Sequence, residues 1–306
     1  MTLTGEQYEI SAGAYRAVIT EQGAALRELG LGDRPLILSH GADEVAPAAF
    51  GQLLAPWPNR IAGGRYSYDG DDQQLAISEP ATGNAIHGLV RWEPWTLAAR
   101  EDHSVRLEFR LLGQKGYPFR LDLTADYSLD ADHGLTVTIS ARNTGSRTAP
   151  YGHGSHPYLT VGETIDRCRV TVPADCYQPV DDRSIPDGPP LNVEGTPYDL
   201  RSGRVLGDLR LDYAFTALRR GADGKARVRL ESGDGSRATV LWADFTHPWL
   251  EIYSADAAPD DLHRLGLAAE PMTCPPDAFN SGTDLVELKP GDIHSGSWGI
   301  HADDRE

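Results

Sequence analysis

The strongest constraint in this chain is a two-residue hydrophobic period that recurs along much of its length. Val105, Leu107, Phe109 and Leu111 alternate with Arg106, Glu108 and Arg110, the pattern of a strand with one buried face. Phe119, Leu121, Leu123, Ala125 and Tyr127 repeat it. So do Leu135, Val137 and Ile139 around Thr136, Thr138 and Ser140, and later Ala226, Val228 and Leu230. Tight-reversal signals lie between the runs: Asp69-Gly70, Asp223-Gly224 and Asp234-Gly235, dipeptides that tolerate positive φ. No segment carries the period of an amphipathic helix of three or more turns. The 21 prolines and 32 glycines are spread out rather than gathered into a linker. The expected fold is all-β, a large antiparallel β-sandwich with residues 1–306 as one domain. Residues 178–204, rich in Pro, Gly and Asp, read as a long surface excursion.

With 306 residues the chain can enclose a large core. Its formal net charge of −17 argues against a nucleic-acid partner, since phosphate backbones are bound by clustered Lys and Arg. No apolar run approaches the roughly 18 residues of a membrane span, and MTLTGEQYEI lacks the basic-then-apolar pattern of a secretory signal. Cys168, Cys176 and Cys274 form no disulfide framework, which suits a reducing cytoplasm. The expected partner is therefore a small molecule, with no nucleic acid and no membrane, bound by a monomer or homodimer.

Four stretches carry more polar chemistry than a β framework needs: APWPNRIAGGRYSYDG at 55–70, NAIHGLVRWEPW at 84–95, HGSHPYL at 153–159 and GLAAEPMTCPPDAFNSG at 266–282. His153 and His156 share a segment too rich in Gly and Pro to be helical. A zinc site would need further ligands, and neither a zinc-like cysteine spacing nor an HExxH occurs. The expectation is no metal and no cofactor. Glu270 follows an apolar strand-like approach and precedes Pro271, which has no N–H for a ladder. A carboxylate ending such a strand is partly desolvated, which raises its pKa toward that of a useful base. His87, next to Gly88, taken alone reads as a turn histidine satisfied by backbone.

In order, PWPNRIAGGRYSYDG, NAIHGLVRW, GHGSHPYL, LDYAFTAL, LWADFTHPWLEIYSAD and LAAEPMTCPPDAFNSG resemble the aldose 1-epimerase (galactose mutarotase) family nearly from end to end. The resemblance implies a galactose mutarotase-like supersandwich with a sugar cleft, and an isomerase that interconverts the α and β anomers of a hexose. It implies Glu270 as general base, His156 as general acid and His87 as the second active-site histidine. Arg60 then holds the sugar or Glu270, and Asp212 hydrogen-bonds sugar hydroxyls. Trp57 and Trp242, beside the polar motifs, are the expected aromatic liners. A carboxylate beside His156 is expected to favour its charged form, and His153 to support the turn.

The match departs from the better-known galactose mutarotases in two places. Their acid histidine lies in an Asn-His-x-Tyr-x-Asn-like stretch and their base is followed by Thr-Gln; here the stretches are GSHPYL and Glu270-Pro271-Met272. These departures leave a charged sugar, a hexose 6-phosphate or a sulfosugar, as the alternative substrate, with Arg65 and Arg91 as candidate anion contacts. A sugar-binding protein that has lost catalysis is the other alternative.

Overall fold

The computed structural model describes residues 2–258 and 262–304. Two antiparallel sheets carry the fold. The larger has nine strands, in spatial order Thr96–Glu101, Ser104–Leu111, Leu121–Asp130, Gly134–Asn143, Ile293–Ala302, Ala238–Ala243, Ala226–Glu231, Arg169–Thr171 and Arg204–Val205. The alternating runs seen in the sequence are four of these strands. In the smaller sheet Leu191–Asn192, Ala174–Tyr177, Asp212–Leu218, Trp249–Tyr253, Leu267–Met272, Gly154–Ser155 and Leu53–Leu54 follow one another. Its eighth strand, Tyr158–Leu159, also pairs with Leu267–Met272. Among the described residues the one α-helix is the four-residue Ala278–Ser281, and no helix is long and apolar enough to cross a membrane.

Leu107, Leu123, Val137 and Leu241 from the larger sheet share one continuous core with Phe215, Leu250, Ile252, Leu267 and Ala269 from the smaller. This pairing fixes what the other face of the smaller sheet presents. Successive side chains of a strand point to opposite faces, so Asp212, Ala214, Glu251, Tyr253, Ala268 and Glu270 all face away from the shared core.

Two sequence expectations change. Residues 178–204 are more than a surface excursion, because Val193 and Leu200 are buried in the main core. From the same stretch Arg183 donates to the carbonyls of Thr82 and Gly83 and to Asn84 Oδ1, at 2.8, 3.0 and 3.0 Å, and so ties down the segment before His87. Glu270 is not at a strand end either, since Leu267–Met272 continues through Pro271. The three cysteines are free.

His153 joins the two sheets through a buried polar chain. Tyr151 Oη lies 3.2 Å from His153 Nδ1, His153 Nε2 lies 3.2 Å from His247 Nε2, and His247 Nδ1 lies 2.9 Å from Asp244 Oδ1. Asp244 Oδ2 in turn accepts from the backbone N–H of Ser297, in the strand Ile293–Ala302, at 2.8 Å. With both ends fixed, the neutral chain is satisfied when His247 donates from Nδ1, His153 donates from Nε2, and Tyr151 donates to His153 Nδ1. Burial, followed by the neighbouring His247 and His294, holds the His153 pKa well below its ordinary 6.5.

A histidine kept neutral in the fold but free to protonate when unfolded stabilises the protein above pH 6.5. That stability is lost as pH falls below 6.5 toward the depressed folded value. Urea unfolding followed from pH 7 to 5 is therefore expected to lose up to about 1.4 kcal/mol per pH unit for each such histidine. The loss should be shallower by about one such step in His153→Gln; an unchanged slope would contradict this account.

Candidate active site

The central feature of the site is a break in a strand. Gly154 pairs with Met272 and Tyr158 with Ala268, a register that puts His156 level with Glu270. Thr273 N–H donates to His153 O at 2.9 Å and Ala269 N–H to Pro157 O at 3.2 Å. The rung between them would need an N–H from Pro271, and the return rung an N–H from Pro157; neither imino acid has one. His156 and Glu270 occupy the non-hydrogen-bonded pair between these gaps, where opposed side chains come closest in an antiparallel ladder. His156 Nε2 lies 3.2 Å from Glu270 Oε1.

On the other side of Glu270, Glu251 is its direct cross-strand partner. Three adjacent strands thus set His156, Glu270 and Glu251 in a row, all buried. Tyr158 stacks on His156 with ring centroids 5.0 Å apart. Asn59 Nδ2 donates to Glu251 Oε2 at 3.2 Å, while Asn59 Oδ1 accepts from the backbone N–H of Arg60 at 2.9 Å.

His87 enters from a separate segment. Its ring stands edge-on to His156, centroids 5.2 Å apart, and its Nδ1 is buried without a partner among the described residues, so their backbone does not satisfy it. The backbone there is left-handed, φ 62° at His87 and 71° at Gly88. Its own N–H donates to Asn59 O, and Leu89 N–H donates to Ala55 O. Gly88 is pressed so closely on Ala55 that an added Cβ would lie 2.0 Å from the Ala55 carbonyl oxygen. His87, His156 and Glu270 each offer one ligand-type atom, and the three atoms lie within 4.8 Å of one another. These are the side chains with the geometry to hold a metal ion.

Arg60 does not hold Glu270. Its Nε and Nη2 bind Glu79 in a fork at 2.8 and 2.9 Å, and Thr82 Oγ1 donates to the same carboxylate. Asp212 begins the strand Asp212–Leu218 on the same outward face, open to solvent, with Arg60 and Glu270 near enough to interact with its carboxylate. Trp57 is buried in the main core against Phe279, centroids 5.8 Å apart. Trp242 alternates with the core residues Leu241 and Ala243 and so lies on the outer face of the larger sheet, with Lys225 Nζ 3.5 Å from its ring centroid. The structure therefore brings His87, His156, Glu270, Arg60 and Asp212 to one region. Neither tryptophan joins them: Trp57 was claimed by the core, and Trp242 is on the wrong sheet.

Electrostatically the site is a desolvated cluster. Burial pushes the His156 pKa down to about 3, with Arg91 and Arg60 adding to the fall. Burial, then His156, Arg91 and Arg60, holds His87 well below its ordinary value. Glu270 is pushed well up by burial and by Asp212, against Arg60. Glu251 is pushed up by burial, Asp212 and Glu270. The expectation that the carboxylate would keep His156 charged is thus reversed, because desolvation outweighs the attraction. Glu270 Oε2 and both histidine Nδ1 atoms are buried without side-chain or main-chain partners among the described residues.

This cluster sits on a fold shared with known proteins. The sequence pattern of the family described as aldose 1-epimerase matches residues 6–301. The chain belongs to the aldose 1-epimerase family. The uncharacterized protein YihR of Escherichia coli is 36% identical over 295 residues, covering 96% of this chain and 92% of that protein. Pig galactose mutarotase is 27% identical over 284 residues, covering 83% and 78%. Among solved structures, the GalM/aldose epimerase homologue from C. elegans superposes with a TM-score of 0.86 at 20% identity, covering 98% of this chain and 99% of that one, a likeness of fold. Membership makes the chain a sugar isomerase of the mutarotase type.

Sequence reading overlooked Glu251, Asn59 and Glu79. Glu251 had a signal, as a lone acid in the otherwise apolar strand Trp249–Tyr253. Asn59 and Glu79 had none, since each matters through a contact across the fold. The Gly88 contact gives a direct test. Gly88→Ala is expected to lower the free energy of unfolding by about 2–5 kcal/mol, from strain plus overlap. Gly63→Ala, also at positive φ but with open space around it, should cost only about 1–2 kcal/mol. Equal losses in urea unfolding would mean that the backbone at Ala55 yields freely.

Proposed function

We propose that this protein interconverts the α and β anomers of a free hexose by opening and reclosing its ring. Glu270 and His156 move the protons, and His87 borders the anomeric centre. The observation that carries this reading is the 3.2 Å approach of His156 Nε2 to Glu270 Oε1 in a buried pocket. Ring opening takes a proton from O1 and gives one to O5. Both oxygens hang on the same carbon, so an acid and a base that reach them must themselves be neighbours.

The pair works with one proton. In the sugar-free site burial favours the uncharged arrangement, with the proton on Glu270 and a neutral imidazole. Passing that proton across the short contact gives a carboxylate and an imidazolium with the same total charge, so the exchange adds no net charge to the buried site. In the second form Glu270 takes the O1 proton while His156 protonates O5, and the C1–O5 bond opens. The aldehyde rotates, and on closing the two groups exchange roles. Arg60 has N–H groups left over from its fork on Glu79 for sugar hydroxyls, and Asp212 accepts from others.

Glu270→Gln is nearly isosteric but cannot take a proton. It is expected to fold normally, to retain sugar binding, and to lose anomer exchange by roughly 10²–10⁴-fold, the worth of one proton transfer, as followed by NMR or polarimetry. His156→Asn is expected to lose a similar factor. Full activity in Glu270→Gln would refute the role given to Glu270, and a mild loss in His156→Asn would transfer the acid's role to His87.

One observation favours a second reading, an epimerase for a hexose 6-phosphate or sulfosugar. Arg91 is half-buried, lies close enough to His87 and His156 to depress both, and forms no ion pair among the described residues. Its nearest polar contact is a 3.4 Å one to Gln52 Oε1. A guanidinium so placed fits a phosphate or sulfonate. Under this reading anomer exchange of glucose 6-phosphate is faster than that of glucose, and Arg91→Gln abolishes the difference. Under the first reading glucose exchanges at least as fast in the unmodified protein.

A further inference from the structure

We propose that the pocket formed by His87, His156 and Glu270 is also a zinc site, in which one Zn²⁺ held by these three side chains shuts out the sugar. The geometry is nearly complete before any metal arrives. Ligands of one tetrahedral zinc, each about 2.0–2.2 Å from the ion, lie roughly 3.3 Å from one another. His156 Nε2 and Glu270 Oε1 are already 3.2 Å apart. The atom offered by His87 is within 4.8 Å of the other two. Two imidazoles and one carboxylate leave the fourth position open to water, the arrangement of a three-ligand zinc site.

The state of the ligands suits a metal as well. An imidazole binds metal through a free lone pair, and His87 and His156 each offer one nitrogen toward the same point. The donor set of two nitrogens and one oxygen favours Zn²⁺ over Mg²⁺ or Ca²⁺, which need more oxygens. Glu270 Oε2 is buried without a hydrogen-bond partner among the described residues, so a cation there meets an oxygen that none of them satisfies.

What surrounds the ligands decides between a resident cofactor and a reversible inhibitor. Histidines that hold a permanent metal almost always donate their second ring N–H to a carboxylate, carbonyl or water, and losing such a partner typically weakens binding 10–100-fold. Here His87 Nδ1 is without a partner among the described residues. A metal in this pocket lacks that support, so it binds and leaves. Because it uses the atoms that move the protons, zinc and sugar exclude one another. The metal site stands on the geometry of the three side chains; only its effect on catalysis rests on the mutarotase reading.

The test is calorimetric titration of untagged, EDTA-stripped protein with ZnCl₂, with MgCl₂ as the control. One zinc per chain is expected, no comparable heat from magnesium, and affinity reduced at least about tenfold in Glu270→Gln and in His87→Gln. Circular dichroism would check that the variants are folded. Zinc is further expected to raise the apparent KM for the sugar in anomer exchange, with full reversal by EDTA. Absence of binding to the unmodified chain, or equal binding to both folded variants, would overturn the proposal. If zinc binding is lost in the variants while saturating zinc leaves anomer exchange of the unmodified protein untouched, the metal site stands. In that case the assignment of these residues to the anomeric centre falls.

Discussion

Everything at the site depends on one alignment of backbones. The strand Leu267–Met272 is flanked by Trp249–Tyr253 on one side and by the broken segment 154–159 on the other. That alignment holds three ionisable side chains, His156, Glu270 and Glu251, at one level on one face. A shift of one residue in either pairing would turn a carboxylate into the hydrophobic core, since alternate side chains change faces. The core residues Leu250, Ile252, Leu267 and Ala269 prevent that shift. Apolar burial on one face therefore fixes polar chemistry on the other.

The site is costly to maintain. Glu270 Oε2, His87 Nδ1 and His156 Nδ1 are buried without hydrogen bonds among the described residues, and each such atom costs about 1–3 kcal/mol. The surrounding framework supplies the compensation: a continuous core between two large sheets, the Tyr151–His153–His247–Asp244 chain between them, and the Arg60–Glu79 fork. A hydroxyl group can both donate and accept, so a polyhydroxyl ligand suits a pocket with such spare capacity.

The fold was legible in the sequence because its cause is local. A two-residue period survives in any window, and four alternating runs became four strands of the larger sheet. Site residues within strong motifs, such as His156 and Glu270, were legible for a similar reason. Three kinds of information were not. Trp242 stands next to a polar motif in sequence, but the face it occupies depends on which of its neighbours reach the core. The partner of Arg60 could not be read, because Glu79 meets it through the pairing of Arg60–Ile61 with Ala85–Ile86. The charge of His156 also depended on burial, which motifs do not record, and burial reversed the expected direction.

The facing prolines, Pro157 and Pro271, have a consequence for how such a protein can change over time. Ordinary strands heal: when a side chain is lost, the backbone can still zip together and gain rungs. Here neither imino acid has a hydrogen to offer, so the two edges remain unzipped beside His156 whatever residue replaces it. An opening is thus written into the main chain itself, and drift in the side chains can alter what the slot accepts more readily than it can seal it.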